Sequence, residues 1–145
     1  MKKSIFRAEP FIATRIHHLS ELAEDYVELI SDLILNKGEA KIKDIADHMG
    51  VSHVTVIRTI QRLKKKGYVS SEKHQSLTLT DEGIKLATYS KKRHEFLLKY
   101  FITLGVPENI AKIDAEGMEH HISPTTIMVL QKHLASLEER LERHS

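Results

Sequence analysis

Two short helical patterns meeting at Gly50-Val51 constrain this chain more than any other feature of it. Ile42, Ile45, Ala46 and Met49 give a short amphipathic helix, Gly50-Val51 a tight turn, and Ser52 an N-cap for the helix that follows. Val56, Ile60 and Leu63 recur at i, i+4 and i+7 and form the inward stripe of that second helix. A small Ala46 four residues before Gly50, between two short helices, is the packing signature of a helix-turn-helix. The face opposite the stripe carries His53, Thr55, Arg58, Thr59 and Arg62, followed by Lys64-Lys65-Lys66, and no acid occurs from Ser52 to Lys66. Arginine and threonine reach base edges in a major groove, and a lysine run suits phosphates. An ordinary basic helix would show the same charge. The Ala/Gly spacing and the one-sided charge favour DNA, with Ser52, His53, Thr55, Arg58, Thr59, Arg62, Lys64 and Lys65 as candidate contacts.

The flanking segments extend this pattern. Gly67 ends the second helix, and Tyr68-Val69-Ser70 and Leu77-Thr78-Leu79-Thr80 read as two short strands around the turn Glu72–Ser76. A small hairpin directly after a recognition helix is the wing of a winged helix, with His74 at its tip a solvated or phosphate-facing residue. Upstream, Tyr26, Ile30, Leu33 and Ile34 make a helix over about Ser20–Asn36, stopped by Lys37-Gly38. Asp25 and Glu28 lie about 60° apart on the other side of that helix, where acids are usually solvent contacts. Residues 1–20 read as a basic arm interrupted by Pro10, more simply a solvated tail than a nucleic-acid contact. A long helix opens at Thr80-Asp81-Glu82, runs to about Thr103 and is closed by Gly105-Val106-Pro107. A second helix covers about Pro107–His121. A third starts at the Ser123 cap with Pro124 in its first turn. In this last helix Ile127, Leu130, Leu134, Leu137 and Leu141 form a heptad-like seam that suits intramolecular packing and can also support a dimer. The expected fold is mainly α: an arm (1–20), a winged helix-turn-helix with a β-hairpin wing (21–90), and a helical domain (91–145).

The segment Asp114–His121 carries three carboxylates and two imidazoles in eight residues. At about 100° per residue, Glu119 and His120 fall roughly 60° and 40° either side of Glu116, so the three share one face, while His121 lies about 140° away. An acidic helix face can be mere surface. Two carboxylates and an imidazole converging can also hold a divalent cation through oxygen and nitrogen alone. Cysteine is absent, which removes disulfides, thiolate metal sites and cysteine nucleophiles. A net charge of +2 is too small to identify a nucleic-acid binder by itself, so the distribution of charge carries that reading. With neither a signal-like apolar run nor a membrane-length one, the chain is expected to be cytoplasmic, with no membrane partner.

Three segments in this order, Glu24-Asp25-Tyr26-Val27-Glu28, Lys92-Arg93-His94-Glu95 and Glu116-Gly117-Met118-Glu119-His120-His121, resemble the manganese-responsive branch of the diphtheria toxin repressor family, the MntR-type transport regulators. The resemblance runs from about Glu24 to Ser136 and includes the wing and the Gly67 and Gly105 turns. It implies a metal site made of Asp25, Glu28, His94, Glu116, Glu119 and His120. Four carboxylates able to bridge imply a pair of Mn2+ ions per subunit, with Fe2+ as the other candidate. In iron-responsive members sulfur-bearing residues stand where Asp25 and Glu116 are here, and oxygen donors in their place favour manganese. The resemblance further implies a homodimeric, metal-activated repressor of manganese uptake genes on a palindromic double-stranded operator. Nothing about the C-terminal SH3-like domain of the iron-type members carries over.

Two other functions compete. A di-metal carboxylate enzyme of ferritin-like type needs four long helices with inward acids. This chain spends residues 41–80 on short helices and a hairpin, so it is not read as an enzyme. A winged-helix regulator sensing iron or an organic ligand is the nearer alternative.

Overall fold

The computed structural model describes the backbone of residues 5–71 and 76–145 and the side chains of residues 21–71 and 76–145. The wing-tip residues 72–75, His74 among them, and the side chains of the basic arm lie outside the described residues. In chain order the elements are α1 (Ile5–Lys37), α2 (Ile42–Met49), α3 (His53–Lys65), β1 (Val69–Ser71), β2 (Leu77–Leu79), α4 (Asp81–Leu104), α5 (Glu108–Met118), a 3₁₀ turn (Glu119–His121) and α6 (Pro124–Arg143). The fold is mainly α, with a winged helix-turn-helix ahead of a helical segment. Among the described residues no helix is long and apolar enough to cross a membrane.

The chain divides into two compact units, Leu19–Ser90 and a second built from Lys91–Ser145 with the part of α1 before Leu19. In the first, Ala23, Tyr26, Ile30 and Leu33 of α1 form one core with Ile45 and Ala46 of α2, Val56, Ile60 and Leu63 of α3, and Val69 and Leu77 of the wing. Removing a large aliphatic side chain of this kind from water contributes about 1.5–3 kcal/mol. Ala46 has a second role: the N–H groups of Gly50 and Val51 both donate to its carbonyl. Gly50 reaches that bond at φ +66°, a left-handed conformation that caps α2 and turns the chain into α3. Ser52 caps α3, its Oγ accepting from the Thr55 N–H at 3.2 Å.

The wing pairs Val69 with Leu79 and Ser71 with Leu77 in antiparallel register, and the Leu77 N–H donates to the Ala40 carbonyl at 2.9 Å. It is latched to the start of α4. The Thr80 N–H donates to the Tyr68 carbonyl, the Thr80 hydroxyl to the Gly67 carbonyl, and the Gly83 N–H to Thr80 Oγ1. A Cβ added at Gly83 would stand 2.1 Å from the Tyr68 carbonyl oxygen, so only glycine lets the strand and helix approach this closely.

In the second unit Leu97 of α4, Ala115 of α5 and Ile127 of α6 are the buried centre, with Phe96, Phe101, Ile122 and Leu130 against them. The Tyr100 hydroxyl lies 2.7 Å from His133 Nδ1, and Lys99 pairs with Glu138 at 2.7 Å, so α4 and α6 are also joined by polar contacts. Of the expected α6 seam, Ile127 and Leu134 are buried, whereas Leu141 is exposed.

Two boundaries differ from the sequence expectation. The apolar pattern starts the first helix at about Ser20, but α1 is helical from Ile5. Pro10 falls in its second turn, where its missing N–H removes a single rung of the ladder. The other difference is at the acidic segment, where α5 stops at Met118 and Glu119–His121 wind into a 3₁₀ turn. Ile122 is extended, at φ −97° and ψ 131°, and Ser123 must stay extended to cap α6. The helix therefore has to close within a few residues, and a tightened final turn does so.

Candidate metal centre and nucleic-acid interface

Glu119 is the hub of the acidic segment, with its side chain only 3% exposed. Its Oε2 lies 2.6 Å from His94 Nδ1 and its Oε1 lies 3.1 Å from His120 Nε2, so one buried carboxylate stands between two imidazoles. Glu116 enters from the solvent side, its Oε2 3.7 Å from His94 Nδ1. His94, Glu116 and Glu119 each offer a ligand atom, all within 4.8 Å of one another. The α4–α5 packing around Leu97 and Ala115 brings His94 to residues far along the chain.

Hydrogen-bond logic fixes the protons. A carboxylate only accepts, so His94 Nδ1 carries the hydrogen it shares with Glu119. A guanidinium only donates, so His120 Nδ1, 3.4 Å from the buried Arg93, accepts and leaves the proton on Nε2. The His94 N–H thus faces Glu119 Oε2, while His120 Nε2 stands 3.1 Å from Oε1 without hydrogen-bond geometry. A divalent cation held by His94 Nδ1, Glu116 and Glu119 would take the place of the His94 proton, which is why binding and proton release are coupled at such sites. Two carboxylates and one imidazole, without sulfur, fit a hard-to-borderline cation.

The 3₁₀ turn divides the face expected from a straight helix. Glu116 and Glu119 meet His94, while His120 contacts Glu119 from the other oxygen and reaches Arg93. His121 is exposed. Asp25 and Glu28 belong to α1 in the Leu19–Ser90 unit, where Glu28 accepts a hydrogen bond from the fully buried Ser90 hydroxyl.

On α3, His53, Thr55, Arg58, Arg62, Lys64 and Lys65 are exposed as expected. Ser52 is exposed too, although its hydroxyl is occupied with the cap. Thr59 is a correction. It is buried, and its hydroxyl donates to the Thr55 carbonyl at 3.0 Å, so it lies beside the core stripe rather than on the outer face. Its polarity suggested exposure, but it lies only about 40° from Leu63 around the helix, at the edge of the inward stripe. The sequence reading missed Val54 and Ile57, which stand 57% and 44% exposed, and exposed Gln61. Their helical phase was the signal.

A winged helix with a basic, acid-free recognition helix, in one chain with a cluster of oxygen and nitrogen donors suited to a cation, defines a metal-linked DNA-binding regulator. Residues 18–77 match the model of the iron dependent repressor N-terminal DNA binding domain, and residues 80–144 that of the iron dependent repressor metal binding and dimerisation domain. The chain belongs to this family of iron-dependent repressors. It is 45% identical over 119 residues to the transcriptional regulator MntR of Salmonella typhimurium, covering 82% of this chain and 76% of that one. It is 34% identical over 135 residues to the HTH-type transcriptional regulator MntR of Bacillus subtilis, covering 84% and 95%. Among solved structures it matches a manganese-dependent transcriptional repressor in complex with manganese, with a TM-score of 0.68 and 28% identity over 78% of this chain. It spans 52% of that solved chain, about half its length. The chain is a regulator and not an enzyme.

Proposed function

We propose that this chain is a manganese-activated transcriptional repressor that binds double-stranded DNA as a homodimer in the cytoplasm. The observation that carries the reading is the cluster of His94, Glu116 and Glu119 in a chain whose α3 presents Arg58, Arg62, Lys64 and Lys65 to solvent. Relatives named as MntR regulators support manganese as the metal. Residues 21–90 serve as the DNA-binding domain, and residues 91–145 hold metal and the dimer contact. Exposed Ile102, Ile110, Ile113, Met128 and Val129 give the latter an apolar surface for a second copy. Asp25, Glu28 and His120 keep the ligand roles that the family resemblance implies, alongside His94, Glu116 and Glu119. That set suits two Mn2+ ions per subunit, with Fe2+ as the competing metal. Two-fold symmetry makes the operator palindromic, and manganese uptake genes are the targets. Metal activates by binding the DNA-competent form more tightly than the free ensemble.

Operator binding titrated with manganese, iron, zinc and cobalt in turn tests this directly. Binding should be lost in excess chelator, return with manganese, and weaken steeply with salt as phosphate contacts release counterions. Gel shifts that persist unchanged in chelator would sink the metal switch. Arg58→Ala should weaken operator binding by about tenfold or more while metal stoichiometry stays intact. The adjacent histidines supply a second test. His120→Ala should cost manganese affinity at least about tenfold, and exposed His121→Ala should cost almost none. Equal losses in calorimetric titration would remove His120 from the ligand set.

A further inference from the structure

Ser90 is fully buried in α4, on the inward stripe that Leu86 and Ala87 begin one turn earlier. Apolar packing does not account for it. Alanine at that place would be a better helix former and would bury no hydroxyl. The hydroxyl instead reaches α1, where it donates to Oε1 of Glu28, 62 residues earlier in the chain. The direction of the bond is fixed, because an ionised carboxylate only accepts. Glu28 is half-buried, on a turn of α1 whose Val27 and Ile30 are fully buried. Both partners lie in the Leu19–Ser90 unit. A hydrogen bond to an ionised acceptor is about twice as strong as one between neutral groups, so this one has the strength to fix a side chain.

We propose that Ser90 is a positioning residue for manganese: its hydroxyl holds the Glu28 carboxylate in the orientation in which it ligates the cation. The inference rests on the reading of Glu28 as a ligand and adds what holds it there. A glutamate carries its oxygens on a flexible stem, and ordering that stem counts against binding. A bond to a buried, immobile donor orders it before the ion arrives. Manganese(II) is the weakest binder of its row, so its site depends more on donors already in place than a zinc or copper site does. Ser90 also lies four residues before His94 on the same helix. One serine therefore stands a helical turn from one ligand residue and is bonded to another.

The test is calorimetric titration of the metal-free full chain with manganese, on the parent, Ser90→Ala, Glu28→Gln and the double variant. Glu28→Gln keeps an oxygen that can accept from Ser90 and removes the charge that holds the cation. Ser90→Ala should lower manganese affinity by about tenfold, the lower end of the loss expected when a group that orients a metal ligand is removed. In the Glu28→Gln background the same change should cost little or nothing more. Thermal melts without metal separate positioning from a structural role. Alanine improves helix propensity at this site, so the metal-free Ser90→Ala melt should stay close to that of the parent. A Ser90→Ala protein that loses stability while binding manganese like the parent would overturn the proposal, since the hydroxyl would then only satisfy a buried acid. An equal loss of affinity in both backgrounds would overturn it too, because the serine would be acting without Glu28. A Glu28→Gln protein with the parent's affinity and stoichiometry would remove Glu28 from the ligand set, and this inference with it. A parent that takes up no manganese would overturn the metal reading itself.

Discussion

Replacing Glu119 by glutamine should lower manganese affinity by about 100-fold or more, because removing a group that ligates or orients a metal ligand costs at least 10–100-fold. Its carboxylate is almost fully enclosed, with each oxygen facing an imidazole. Glutamine keeps the shape and removes the negative charge that a cation bound at this cluster would be held by. By linkage, operator binding at a fixed manganese concentration should fall by the same factor wherever the metal is not saturating. Titration calorimetry with manganese on the metal-free protein reads the first effect, and gel shifts across a manganese series read the second. Glu116→Gln should cost less, since that side chain is 66% exposed and open to water. A Glu119→Gln protein that binds manganese like the parent would show that the cluster is not the metal centre.

Gly83→Ala should be the most destabilising single methyl in the described chain. Its Cβ would overlap the Tyr68 carbonyl oxygen, which is fixed by the Thr80 N–H and cannot retreat without breaking the wing latch. The expected loss is about 3 kcal/mol, at the upper end of overpacking costs. For a chain of this size that lowers the melting temperature by roughly 10 °C. Gly117→Ala is the matched control, being helical with nothing within 4 Å of the added methyl. It should raise stability by up to about 1 kcal/mol through helix propensity alone. Thermal melts of the two variants should therefore move in opposite directions. A Gly83→Ala melt that matches the parent would mean that wing and helix shift apart freely.

What could be read from the sequence depended on whether chemistry or phase carried the signal. Gly50, the Ser52 cap and the Val56–Ile60–Leu63 stripe define the two short helices by local rules, and the hairpin follows from alternation after Gly67. Those rules act within a few residues and need no knowledge of tertiary contacts. The 3₁₀ turn at Glu119 was hidden because a spacing of three residues suits both helix types, and only the extended Ile122 forces the tighter one. Thr59 was placed outward because its polarity outranked its angular position, and Val54 and Ile57 were left without a face. The start of α1 was lost to Pro10, whose reputation as a breaker holds for the middle of a helix more than for its second turn. The grouping of His94 with Glu116 and Glu119 lay beyond local pattern altogether. It depends on α4 packing against α5, and only the family resemblance pointed to it.

The absence of acids from Ser52 to Lys66 has a cost as well as a use. Arg58 and Arg62 stand one turn apart, as do Arg62 and Lys66, and like charges at that spacing work against a helix by a few tenths of a kcal/mol each. The free protein therefore keeps α3 under internal repulsion that its hydrophobic stripe must outweigh. A bound polyanion relieves this strain whatever its sequence. Part of the affinity for any DNA is then prepaid in the resting helix, and discrimination between sites has to come from the few side chains that meet base edges rather than phosphates.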